Sequence, residues 1–145
     1  MPGIVLPEDE ARLRQACPDL DEWPQRWHYD AADLAPGAAI VAAFKPFLLD
    51  LLHRGLAQRT FNRHRDNLWL LGGALIRRRY DDPELKRLPA GQLVRRMIDA
   101  DGGPLIWPRL SEAEQSAVDA TCRKLYQFLT QSTASEQPQS THKFR

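Results

Sequence analysis

Arginine is the residue type in this chain best suited to chemistry with a partner. Residues 54–96 carry eleven basic side chains against four acids, a net charge of +7. Ten of the eleven are arginines, Arg54, Arg59, Arg63, Arg65, Arg77, Arg78, Arg79, Arg87, Arg95 and Arg96, with Lys86 the exception. The planar guanidinium fork suits bidentate contacts to phosphates and base edges, so a polyanionic partner fits this stretch. A solvated basic face with no ligand reads equally well from charge alone. Residues 1–35 have the opposite character, eight acids against three bases, net −5, so the chain is electrically polarised although its total charge is only +1.

The other residues that could do chemistry lack the company they would need. His28, His53, His64 and His142 are scattered, and no Cys-x-x-Cys or His-x-x-x-His pair stands at metal-ligand spacing. Cys17 and Cys122 read as reduced, partly buried structural thiols. The phosphate-cradling Gly-x-x-x-x-Gly-Lys loop, the Gly-x-Ser-x-Gly elbow and the His-Glu-x-x-His helix are all missing from the sequence. The carboxylate groups Glu8-Asp9-Glu10 and Asp81-Asp82 sit where helix ends are expected, and dipole and turn chemistry account for them there. The expectation is a protein that acts by binding, with no catalytic residues, metal or cofactor.

The elements that must position the arginines are helical. Pro7 can take a first helical position with acids behind it, and Pro18 ends that short helix. Asp19 to Pro36 reads as an irregular arm, whose Trp23, Trp27 and Tyr29 dock either on the protein's own core or on a partner. Ile40, Val41, Phe44, Phe47, Leu48, Leu51 and Leu52 recur at three- and four-residue spacing up to the stop at Gly55. Pro46 inside that run requires a kink, or a helix that starts near Lys45. Thr60 is the expected N-cap of a long helix with Phe61, Leu68, Leu71, Leu75 and Ile76 inward, ending near Tyr80. Gly72-Gly73 within it calls for a crossing helix at close range. A further helix over residues 89–99 turns Leu93, Val94, Met97 and Ile98 inward and Arg95 and Arg96 outward. The last helix opens on a Ser111/Glu114 capping box and repeats Val118, Cys122, Leu125, Tyr126 and Leu129 on one face.

The sequence thus predicts an all-α protein, a compact bundle of four main helices with a short N-terminal helix and an aromatic arm. Its expected divisions are an acidic leader over 1–36, a helical domain over 37–130 and a disordered Ser/Thr/Gln-rich tail over 131–145. With 43% hydrophobic and 27% charged residues the chain falls in the ordinary globular range. The longest nearly uncharged stretch, 34–44, is too short to cross a bilayer, and acids follow the first residues too soon for a secretory signal. A cytoplasmic protein without a membrane partner is expected.

Residues 44–68, FKPFLLDLLHRGLAQRTFNRHRDNL, resemble the first helix, the Gly-Leu-Ser-x-x-Thr turn and the start of the second helix of the core-binding domain of tyrosine recombinases and phage integrases. Ala57 stands where that family usually has Ser. The resemblance extends over about residues 40–129 and implies a four-helix, SAM-like module that grips DNA. The recombinase catalytic domain has no counterpart here, and cleavage is not implied for Tyr80 or Tyr126. It implies duplex contacts from Arg59, Thr60, Asn62, Arg63 and Arg65 at the start of the second long helix, with Arg54, Arg77, Arg78, Arg79, Arg95 and Arg96 extending the footprint. A mobile-element adaptor or inhibitor that binds a protein through Trp23, Trp27 and Tyr29 is the competing expectation, and RNA a third. Oligomeric state stays open.

Overall fold

The structure, a computed structural model, describes residues 7–136. Its first helix, α1 (Pro7–Ala16), carries Glu8, Asp9 and Glu10 in its first turn and buries Leu13. The arm that follows holds more helix than its prolines and acids suggest: a 3-10 turn at Leu20–Glu22, α2 (Trp23–Trp27) and a second 3-10 turn at Ala31–Asp33. Two long helices come next, α3 (Leu34–His53) and α4 (Gln58–Asp81), then the short α5 (Pro83–Lys86), α6 (Ala90–Met97) and the long α7 (Glu112–Glu136). Among the described residues the only β-type pairing is an isolated bridge between Asp99 and Gly102, so the architecture is an all-α bundle.

The helix α3 runs unbroken through Pro46 and starts at Leu34, not near Lys45. Its beginning is fixed by Asp30, which accepts from the Ala32 N–H, while Asp33 accepts from the Asp30 N–H. An interior proline costs about 3 kcal/mol. Ile40, Val41, Phe44, Phe47, Leu48 and Leu51, all buried on this helix, are each worth roughly 1.5–3 kcal/mol. The apolar stripe therefore outweighs the proline several times over. The run Ala31–His53 also has the length and mean hydropathy, 1.5, to cross a membrane, which the shorter uncharged stretch had concealed. In this fold it packs against α2, α4 and α6 as the central core helix.

Trp27 lies against α4 at Gly72 and Gly73. A Cβ at Gly72 would lie 2.2 Å from two atoms of the indole ring, and one at Gly73 would lie 3.3 Å away. The indole N–H donates to the Trp69 carbonyl at 3.0 Å, one turn earlier on α4. The glycine pair thus receives the ring at the end of the short helix α2, which packs on α4 there. Trp23 packs beside Trp27 at 5.7 Å between ring centroids, and both are buried in the same apolar cluster as Leu13, Phe44, Leu71, Val94 and Leu125.

The start of α7 forms as the sequence indicated: the Ser111 N–H donates to Glu114 Oε1 at 3.0 Å and the Glu114 N–H donates to Ser111 Oγ at 3.1 Å. The helix then continues through Glu136, past the expected limit at Thr130. Extending an established helix fixes one residue per hydrogen bond, whereas starting one is costly, so the polar 131–136 stretch follows. The rest of the expected tail, 137–145, lies outside the described residues.

Replacing Gly72 by Ala is expected to destabilise the fold by roughly 1–2 kcal/mol in urea unfolding, because displacing the Trp27 ring outweighs the ~1 kcal/mol helical advantage of Ala. Gly91→Ala, at a helical position with nothing within 4 Å of the added carbon, should stabilise by up to ~1 kcal/mol. Equal shifts for the two variants would show that the indole does not constrain α4.

Candidate nucleic-acid interface

The helix α4 carries arginines near both of its ends, and these ends differ in what holds them. It begins at Gln58, with Ala57 in the capping position and no side-chain cap, so Thr60 lies within the first turn and is not the N-cap. Arg59 and Arg63 are exposed and Thr60 is half-buried. Asn62 Oδ1 accepts from Gln58 at 2.9 Å and from Arg65 at 3.1 Å, and is occupied along its own helix. Arg65 also pairs with Asp66 at 2.9 Å, and Arg54 pairs with Asp50 at 2.8 Å, each at a partly exposed site.

A second helix adds charge to this end. Asn67 Nδ2 donates to Thr121 Oγ1 at 2.9 Å and to the Ala117 carbonyl at 3.0 Å, and Thr121 Oγ1 lies 2.7 Å from His64 Nδ1. Thr121 can accept from Asn67 while donating its own hydrogen to His64, which requires Nδ1 to be unprotonated. His64, Asn67 and Thr121 are all buried, and this link fixes the register of α7 on α4. Lys124, three residues beyond Thr121, and Arg63, next to His64 in the chain, both act on this imidazole. The His64 pKa lies below the usual histidine value, first because burial opposes its charge and then because Lys124 and Arg63 repel a proton. Thr60, His64 and Lys124 also line a cavity of about 260 Å³ between the α3–α4 turn and α7, with Arg54 at its edge. Lys124 was not singled out in the sequence: it lies on the flank of the apolar stripe of α7, sixty-one residues from Arg63.

The far end of α4 is engaged by the protein itself. Arg79 lies 3.3 Å from Asp33, with side-chain exposures of 11% and 5%. Asp33 also accepts from the Tyr80 hydroxyl at 2.6 Å and from the backbone N–H groups of Tyr29 and Asp30. Burial pushes the Asp33 carboxyl up, but these hydrogen bonds and the Arg79 charge outweigh it and leave it below the usual carboxylate value. The same bond from Tyr80 is the main cause of a phenol pushed up to about 12. Arg77 stacks over the Trp107 ring at 5.5 Å, and Arg78 is half-buried. On α6, Arg95 donates to the Leu129 carbonyl at 3.2 Å and Arg96 is exposed.

Arg59 and Arg77 are separated by about 27 Å along the helix axis at 1.5 Å per residue, the extended spacing that the sequence implies. Several other expectations change. Arg79 is neutralised by an acid of the leader. Trp23 and Trp27 are core residues, 2% and 6% exposed, and cannot present an aromatic arm to a partner. Tyr29 is exposed, edge-on to Tyr80 at 5.5 Å. Both cysteines are free and buried, and burial pushes each thiol up to about 12, which suppresses the reactive thiolate. Among the described residues no group of three or more His, Cys, Asp or Glu is placed to hold a metal ion. No protein-family model, curated protein or solved structure matches the chain.

The His64 environment sets a pH dependence. An imidazole whose folded pKa is depressed takes up protons first in the unfolded chain. Its contribution to stability is therefore complete above the ordinary value of 6.5 and is lost as pH falls from there toward the folded value. Urea midpoints should drop between pH 7.5 and pH 5.5 in the wild type and drop less in His64→Gln. Parallel losses in the two proteins would mean that His64 is not held neutral by the fold.

Proposed function

We propose that this protein binds duplex DNA without catalysing a reaction on it, through the basic end formed by the start of α4 and the middle of α7. The observation that carries this reading is that Lys124 of α7 lines one cavity with Thr60 and His64 of α4, on two helices locked by a buried polar link, beside an exposed Arg63 and an α4 N-terminus with no side-chain cap. Arg59, one turn before Arg63, adds exposed charge on the same helix. Such an end offers backbone N–H groups, the positive pole of the helix and three cationic side chains to phosphate oxygens. The resemblance of residues 40–129 to recombinase core-binding domains supports the same partner.

Magnitudes decide which arginines can join. Exposed ion pairs are worth ~0–1 kcal/mol, so Arg54 and Arg65 can exchange Asp50 and Asp66 for a phosphate at little cost. Removing one partner of a buried pair costs about 3–5 kcal/mol, which keeps Arg79 on Asp33. The proposed footprint therefore leaves Arg79 out and centres on the start of α4.

Binding of a labelled duplex across a salt series tests this. Arg59→Ala with Arg63→Ala, and Lys124→Ala separately, should each weaken binding and flatten log Kd against log salt by about 0.9 per lost phosphate contact. Arg78→Ala should leave both unchanged. Unchanged duplex binding in all three, or equal affinity for duplex, single strand and RNA, would contradict the assignment.

A further inference from the structure

The cavity between the α3–α4 turn and α7 joins an apolar wall to a small polar set. Phe47 and Leu51 of α3 are buried, Leu56 of the turn and Phe128 of α7 are half-buried, and all four line it. The Phe47 and Phe128 rings meet edge to face, 5.7 Å between centroids. Asp50 accepts from Arg54 Nε at 2.8 Å, so these two charges cancel, and among the described residues no other carboxylate lines the cavity. Lys124 is left as the net charge of the lining, with no ion-pair partner among the described residues. His64 adds a directed donor. It is 6% exposed, and with Thr121 donating to Nδ1 the neutral imidazole carries its hydrogen on Nε2. Nε2 has no hydrogen-bond partner among the described residues, and no fully buried side-chain nitrogen or oxygen among them goes unpaired. Nε2 therefore keeps an opening, and the cavity that His64 lines provides it.

The volume, about 260 Å³, lies just below the roughly 300–1,000 Å³ of ordinary small-molecule sites, so the occupant is small. It equals about nine waters at ~30 Å³ each, the size of one ring or one short chain with a head group. A cation would be repelled by Lys124. A wholly apolar molecule would cover the Nε2–H without giving it an acceptor, which costs free energy. An inorganic anion would satisfy the donors and leave the phenylalanine and leucine walls with nothing to pack against. A carboxylate on a small apolar body meets all three conditions: one oxygen accepts from His64 Nε2–H, the charge balances Lys124, and the body lies against the two rings.

We propose that this cavity is a binding site for a small apolar monocarboxylate, with His64 Nε2 and Lys124 holding the carboxylate and Phe47 and Phe128 its body. The test is a side-chain and amide NMR titration of the full chain with benzoate and with hexanoate, each against its neutral amide, benzamide or hexanamide. At least one of the two acids should move the His64 Nε2 signal and the amides of Leu56 and Phe128 saturably at millimolar concentration. Its amide should bind at least roughly tenfold more weakly, the loss of a charge-assisted contact. Both readings are taken in the wild type and need no variant. Lys124→Met, at an exposed position and with an unbranched stem retained, should weaken the acid by a similar factor. Leu56→Trp, which fills the cavity from a half-buried position, should abolish the saturable His64 shift while far-UV circular dichroism is unchanged. No saturable shift with either acid, shifts centred away from these residues, equal affinity for acid and amide, or undiminished binding in Lys124→Met would overturn the proposal. It does not rest on the duplex reading, with which it shares Lys124: no nucleic acid is present in these titrations, so the two fail separately.

Discussion

A threonine hydroxyl shared between two helices is the constraint on which the rest of this molecule's function depends. Thr121 joins α7 to His64 and Asn67 of α4 inside an otherwise apolar interface. Apolar contacts alone tolerate small slides of one helix on another, whereas a buried polar group left without its partner costs about 1–3 kcal/mol. No buried side-chain nitrogen or oxygen among the described residues lacks a hydrogen-bond partner, so the link is complete only in this register. That register puts Lys124 on the same cavity as Thr60 and His64, near the start of α4. On the other side of α4 the Trp27 ring fills the notch at Gly72, and the acidic leader is thereby packed into the same core as the helices that follow it.

The leader has two electrical effects. Its Asp33 is buried against Arg79 and Tyr80, which removes one positive charge from the far end of α4 and ties the arm to that end. Its other acids pair at the periphery, Asp21 with Lys45 at 3.6 Å and Asp9 with His53 at 3.1 Å. A chain that looks polarised in sequence is partly neutralised once folded. Exposed positive charge remains where α4 begins, at Arg59 and Arg63, and also at Lys86, Arg87 and Arg96.

Much of the fold was legible because helices announce themselves through period and punctuation. The apolar spacing over 40–52 and 61–76, the Ser111/Glu114 box and the acids of α1 each have a local cause, and local causes can be read in one dimension. What escaped depends on tertiary packing. Pro46 looked like a boundary, but the stripe around it is deep enough to carry the helix through. Thr60 looked like a cap because the hydroxyl suits one, yet the capping position is three residues earlier, at Ala57, without any side-chain cap. The glycine pair signalled a close approach correctly and left open what approached. Among the candidate site residues, Arg59 and Arg63 are exposed as expected. Lys124 was missed because the α4 residues with which it shares a cavity are distant in sequence, and Arg79 was included because nothing in its neighbourhood betrays Asp33.

The most direct test of the account is an amide and side-chain NMR titration of the full chain with a short duplex at low salt. The account predicts the largest shifts at the backbone amides of Gln58, Arg59 and Thr60 and at the side chains of Arg63 and Lys124, fading along α4 toward Arg77. Shifts centred on residues 77–87, or no shifts at all while the protein remains folded, would contradict it.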